Sequence, residues 1–218
     1  MSDLTVLRGR VELKLSDVGN VIWSTDALDE GIQSALDEYN AVMPAKAEET
    51  LTLAAAGREI DLSEIEGLIK VTEVWWPYDS DAEIWPPNRV LGWYQFTSAD
   101  GPVLFLNQID GAQPQAGDEV RIWYTLRQAI EGLAGATEGT LPLDHESLLV
   151  LGAAGHAVQG RALDLLRVTE VDPGLVAKYE KWADDRLKEY RASLEILRSE
   201  QARSGVSWGP GWAVDKWE

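Results

Sequence analysis

Between Pro173 and Arg203 apolar residues recur at Val176, Tyr179, Ala183, Leu187, Tyr190, Leu194 and Leu197, in steps of 3, 4, 4, 3, 4 and 3 residues. This spacing is that of a coiled-coil seam. It puts all seven side chains in one narrow stripe of an α-helix and leaves the other faces charged. Asp172-Pro173 supplies a start, an N-cap followed by proline at the first helical position. At the usual rise per residue such a helix runs about 46 Å. A helix that long, with so narrow a stripe, packs along other helices or reaches beyond its own domain.

Two further segments have helical spacing. Ser24 suits an N-cap, Asp26 sits in the first turn, and Trp23 can staple onto Leu28. Leu28, Ile32, Ala35, Leu36, Tyr39, Val42 and Met43 follow at helical intervals until Pro44 stops the helix. Gly31 inside it costs about 1 kcal/mol against alanine. A second helix is expected from Asp144, with Leu143 and Leu148 as its staple. It is rich in small residues (Gly152, Ala153, Ala154, Gly155, Gly160), which let the first or the long helix approach closely. Residues 1–20 alternate weakly at Val6, Val11, Leu13 and Leu15 and read as an arm or a short strand.

From 50 to 127 the pattern changes to β-formers separated by turn signals. Leu51–Leu53 and Arg58–Leu62 bracket Gly57 as a hairpin. Leu68 to Trp76 reads as a strand ended by Pro77, and Asp79 to Asn88 as a loop. Val90–Thr97 and Val103–Asn107 are joined through Ala99-Asp100-Gly101, a hairpin signal. Val120, Ile122, Tyr124 and Leu126 alternate with Glu119, Arg121, Trp123 and Thr125, the cleanest strand in the chain. Alternation also sends Trp75 and Trp76 to opposite faces.

The expected fold is therefore α+β: a bundle of about three helices, the last one long, with an inserted antiparallel β module and an extended C-terminal tail. The divisions are 1–49 for the N-terminal arm and first helix, 50–128 for the β module, 129–203 for the rest of the bundle, and 204–218 for the tail.

Charge and composition narrow the function. The net charge is −18, and the chain from Pro173 onward is balanced, so the whole excess lies in residues 1–172. Tight nucleic-acid binding needs phosphates neutralised by lysine and arginine, which argues against that role here. With no cysteine, thiolate metal sites and a cysteine nucleophile are excluded. The opening residues lack the apolar core of a signal peptide, and the longest near-apolar run is far short of a bilayer span. A soluble chain, intracellular at synthesis and without membrane contact, is expected.

Catalytic signals are weak. His145 and His156 fall on one helix about 16 Å apart along its axis, too far to share a metal. His145 reads as a first-turn surface residue and His156 as a packing residue. Carboxylate pairs such as Asp79 with Asp81, Glu64 with Glu66, and Asp184 with Asp185 are expected by chance among 37 acids. No phosphate-binding, dinucleotide or hydrolase motif is present. No metal, cofactor or catalytic residue is expected.

After Arg203 comes Ser204-Gly205-Val206-Ser207-Trp208-Gly209-Pro210-Gly211-Trp212, ending in Trp217-Glu218. Tryptophan belongs in the buried centres of interfaces, so a Gly/Pro-broken tail carrying Trp208, Trp212 and Trp217 reads as a segment that docks on another protein or on another copy of the chain, the alternative being that it folds back on its own domain.

The order of these patterns resembles the head–tail connector (adaptor) proteins of tailed bacteriophages. The likeness rests on four features. They are the Trp-capped first helix, the β insert closing in Pro114-Gln115-Ala116-Gly117-Asp118-Glu119-Val120-Arg121-Ile122-Trp123-Tyr124, the small-residue helix after Leu141-Pro142, and a long helix with Tyr179, Trp182 and Tyr190. The resemblance implies a virion structural protein made in the host cytoplasm and placed in the neck. It implies a homo-oligomeric ring, typically twelvefold, docked to the portal protein and to a neck, stopper or tail protein, with DNA passing through an acidic lumen that does not retain it. By the same resemblance Trp208, Trp212 and Trp217 anchor the chain to the portal. Tyr179, Trp182, Leu187, Tyr190 and Leu194 are the expected lateral packing positions between subunits.

Two other classes compete. The aromatics of the β module (Trp75, Trp76, Tyr78, Trp85, Trp93, Tyr94, Trp123, Tyr124) suit a carbohydrate-binding face, and the acids leave room for a carboxylate hydrolase.

Overall fold

A computed structural model of the chain describes residues 3–17, 19, 21–81, 89–108, 113–167 and 172–204, with side chains as far as 201 except that of Gln108. Helices occupy both ends of the chain and strands the middle. In order they are α1 (Leu4–Leu15), α2 (Thr25–Val42), β1 (Ala45–Thr52), β2 (Glu59–Asp61), β3 (Leu68–Tyr78), β4 (Gly92–Ser98), β5 (Gly101–Gln108), β6 (Glu119–Leu126), α3 (Glu146–Leu165) and α4 (Pro173–Ser204). The fold is mixed α+β. It divides into a helical unit, Met1–Met43 with Ala129–Glu218, and a β unit, Pro44–Gln128.

The helical unit is built around α3, which packs against α1, α2 and α4. The small residues explain this position. A Cβ on Gly31 would stand 2.7 Å from the Ala153 carbonyl oxygen. One on Gly152 would stand 2.8 Å from the Tyr190 ring, and one on Gly155 2.9 Å from Leu187. Glycine thus brings α2 and α4 to α3 at separations that any side chain would forbid. The cost of Gly31 to its helix is exchanged for that contact.

The caps of α2 follow the sequence. The Ser24 hydroxyl accepts from the Ala27 amide, and the helix ends before Pro44. Trp23 is buried, and the buried Asp17 carboxylate accepts from the amides of Val21, Ile22 and Trp23. Those bonds hold the entry to α2 and keep the Asp17 carboxyl below its usual range, chiefly through the Trp23 amide. Asp172 starts α4 by accepting from the Gly174 amide.

Several expectations are corrected. Residues 4–15 form a helix, not an arm or strand, so the helical unit has four helices among the described residues. Leu4, Leu7 and Val11 are buried on one side of α1 while Val6 and Leu13 are exposed on the other, and apolar residues on both sides hide the helical period. Asp144 is not an N-cap: Leu143–His145 form a 3-10 turn, and α3 begins at Glu146. The segment from 131 to 140 is tied to the helical core by the buried Leu133, with Ile130 and Leu141 buried on either side of it.

The β unit contains two three-stranded antiparallel sheets, ordered β1-β6-β3 and β2-β5-β4. One core serves both, with Val71, Val74, Trp76, Val120, Ile122 and Tyr124 from the first and Ile60, Leu104 and Leu106 from the second. Strand β6 alternates as its sequence requires, with Val120, Ile122 and Tyr124 buried. The Ala99-Asp100 turn closes the β4–β5 hairpin, with Ser98 opposite Gly101. The expected hairpin of Leu51–Leu53 with Arg58–Leu62 does not form. Instead β1 pairs with β6 from Ala45 to Thr52, and β2 pairs with β5 in the other sheet. Strand pairing also begins at Ala45, ahead of residue 50, and β3 runs through Pro77 to Tyr78. Residues 82–88 of the expected Asp79–Asn88 loop, Trp85 among them, lie outside the described residues. Among the described residues no helix is long and apolar enough to cross a membrane.

Candidate functional site

The stripe of α4 forms as spaced, but it faces inward. Leu187, Tyr190 and Leu194 are 2%, 0% and 3% exposed. The Tyr190 ring fills the space over Gly152, and its hydroxyl donates to the Ala35 carbonyl at 2.6 Å. These three residues belong to the chain's own core and are unavailable to a neighbouring subunit, which corrects their expected lateral role. The seam had a partner within the same chain, in α3 and α2. Tyr179 and Trp182 are half-buried: Tyr179 meets the Trp23 ring edge-on, and Trp182 lies under the Arg186 guanidinium. Among the described residues of α4 the large apolar side chains left exposed are Leu175 and Ile196. Trp208, Trp212 and Trp217 lie outside the described residues.

Arginines of the helical unit are largely committed to acids of the same chain. Arg8 pairs with Asp29, Arg10 with Glu146, and Arg191 with Glu38. Arg191 grips Glu38 through two hydrogen bonds, of 2.9 and 2.6 Å, and His156 Nε2 lies 3.2 Å from the same carboxylate. The group joins α2, α3 and α4. The Arg191 hydrogen bond holds the Glu38 carboxyl below its usual range. Burial lowers the His156 pKa, partly opposed by Glu38. With arginines spent in this way, the acid excess is left to dominate the surface.

The other histidine has a partner that the sequence did not foretell. The Tyr39 hydroxyl lies 2.6 Å from His145 Nδ1, joining α2 to the turn before α3. Burial pushes the Tyr39 pKa up to about 12, so this hydroxyl is a hydrogen-bonding group rather than an acid at neutral pH. The two residues are 106 apart in sequence, and no local pattern links them. The half-buried His145 is thus a packing residue, not a surface one. Among the described residues no group of three potential ligands gathers to hold a metal. Asp79 accepts from the Asp81 amide, a local turn bond.

The aromatics of the β unit divide between faces as alternation requires. Trp76 and Tyr124 are buried, while Trp75 and Trp123 lie 4.3 Å apart, centre to centre, on the outer face of their sheet. The Arg121 guanidinium sits 5.7 Å over the rings of both Tyr78 and Trp123, and is held by Glu48 and Thr50. On the other sheet Tyr94 stacks on Phe105 at 5.0 Å with Phe96 beside it, and Tyr94 and Phe96 are exposed.

No protein-family model matches the chain, and no curated protein matches it. Among solved structures it overlaps a chain in the neck of an empty gene transfer agent particle computed with C6 symmetry. That match has 18% identity and a TM-score of 0.32, over 82% of this chain and 87% of that one. It also overlaps a chain in the virion of a native gene transfer agent particle, with 16% identity and a TM-score of 0.29 over the same shares. Overlap this loose defines no role for the chain.

Proposed function

We propose that this chain is a virion structural protein, not an enzyme: a head–tail connector that forms a ring beneath a portal and joins it to the neck or tail. The observation that carries the reading is the placing of the elements. A β unit enters between a Trp-capped helix and a small-residue helix, which packs against a long one followed in sequence by a Trp-rich segment. This is the order in which the sequence resembles connector proteins. The acidic surface adds support, because it lets DNA pass without holding it. Docking rests on Trp208, Trp212 and Trp217. Lateral contacts fall to Tyr179, Trp182 and exposed apolar side chains such as Leu175 and Ile196, since Leu187, Tyr190 and Leu194 are spent on the core.

The test is the solution mass of the chain, alone and mixed with a portal ring, for the full sequence and for a form ending at Ser204. A ring, or a monomer that joins the portal only with 205–218 intact, is the expected result. A monomer indifferent to the portal in both forms would sink the proposal. The Tyr94–Phe105 platform favours a second reading, carbohydrate binding, which predicts quenching of aromatic fluorescence by oligosaccharides with or without the tail.

A further inference from the structure

We infer that copies of this chain meet head to tail through their helical units, the acidic outer face of α2 on one copy lying against the lysines on the outer face of α4 on the next. This rests on the ring reading and names the contact that builds the ring.

Each face carries a pair of like charges that its own chain leaves unanswered. Asp26 and Glu30 stand two residues before and after the buried Leu28. Lys178 stands two residues after the buried Val176, and Lys181 two before the buried Ala183. Two residues are about 200° of helix, so all four side chains point away from the core, and all four are exposed. The acids are at i,i+4 and the lysines at i,i+3, spacings at which like charges destabilise a helix. None of the four is in a salt bridge among the described residues. Arg8 feels Asp26 but gives its hydrogen bonds to Asp29. Lys181 has Asp184 and Asp185 three and four residues on, the weaker orientation for a helical pair, and bonds to neither.

Geometry and charge both name a second copy as the occupant. α2 runs antiparallel to α3, with Tyr39 at His145 and the Trp23 indole N–H donating to the Ala157 carbonyl. α4 is antiparallel to α3 as well, with Gly152 against Tyr190 and Gly155 against Leu187. α2 and α4 are therefore parallel, and the contact of the Trp23 and Tyr179 rings fixes their relative height. Counted from that contact, the acids and the lysines lie within about 8 Å of the same level, and the charges within each pair are about 6 Å and about 4.5 Å apart along the helix. A rotation about an axis along the helices keeps both direction and height. It brings α2 of one copy alongside α4 of the next with acids facing lysines, and it is the operation that closes a ring. A net charge of −18 makes copies repel, and this pairing is where the repulsion is locally reversed. Apolar area lies beside the charges. Leu175, 40% exposed, and the half-buried Trp182 flank Lys178 at i−3 and i+4, and Ile22, 45% exposed, comes four residues before Asp26.

The test is sedimentation of the full chain and of two charge-reversed variants, Asp26→Lys/Glu30→Lys and Lys178→Glu/Lys181→Glu, with helix dichroism to check folding. The natural chain should self-associate, and more weakly as salt rises, because exposed charge pairs are screened. Each variant alone should associate at least about tenfold more weakly. An equimolar mixture of the two should recover the natural affinity, since every contact between unlike chains again sets opposite charges face to face. Variants that associate as well as the natural chain, or a mixture that recovers nothing, overturn the inference and leave the ring reading standing. Association that stops at a dimer overturns the head-to-tail pairing. Should a variant fail to fold, self-association of the natural chain that is indifferent to salt overturns the inference by itself. A natural chain that stays monomeric both alone and with a portal ring removes the ring reading, and this inference with it.

Discussion

Gly152 and Gly160 stand on the same helix and have opposite reasons to be there. At Gly152 a Cβ would meet the Tyr190 ring at 2.8 Å, and Tyr190 cannot swing away without losing its bond to the Ala35 carbonyl. At Gly160 a Cβ would meet nothing within 4 Å, on the exposed side of the helix. Helix propensity favours alanine at both by about 1 kcal/mol. Overpacking costs about 1–3 kcal/mol and acts only at Gly152. Gly160→Ala should therefore stabilise the helical unit and Gly152→Ala should destabilise it, as read by urea midpoints. A stable Gly152→Ala protein would mean that α4 is not seated on α3 as described. The small residues of this helix were legible as a sign of close approach. Which glycine faces which neighbour was not, because that depends on residues 30 or more positions away.

At the scale of elements, three helices meet where Arg191 and His156 share the Glu38 carboxylate. The groups facing His156 here are Glu38 on α2 and Arg191 on α4, with Asp184 acting on Arg191 from along the same helix. His156 has a folded pKa below its ordinary value of 6.5, so the fold disfavours its protonation. Stability from this group is present above that value and is lost as pH falls below it. Glu38, also depressed, adds its own loss below the ordinary carboxylate range. Thermal midpoints should fall from pH 7 to pH 5 in the natural chain, and His156→Gln should flatten that fall. A wild-type profile level down to pH 5 would count against the arrangement. Element by element, legibility followed the range of the pairing. The Ser24 cap, the α4 stripe and the β4–β5 turn are local and were read correctly. β1 was misread because its partner, β6, lies some 70 residues on and outcompetes the nearby turn at Gly57. The stripe of α4 showed that it must be covered, but spacing alone does not say whether by another subunit or by the same chain.

For the molecule as a whole, the way the β unit enters the helical unit predicts that the two separate cleanly. The first strand of the insert pairs with its last, and Ala45 stands opposite Leu126. Facing residues of neighbouring antiparallel strands are about 5 Å apart, so the chain leaves the insert almost where it entered. Each unit also buries a core of its own. Joining Met43 to Ala129 through a short Gly/Ser linker should leave a helical protein with strong far-ultraviolet helix dichroism and a cooperative transition. Residues 44–128 alone should fold as a β domain with a transition of its own. The division also locates function. In the proposed reading portal docking stays with the helical unit and its tail, whereas oligosaccharide binding, if the Tyr94–Phe105 platform is the true site, stays with the isolated β domain. A helical unit that collapses without its insert would show that the two cores are interdependent, and portal docking that persists in 44–128 alone would move the docking surface off the tryptophan tail.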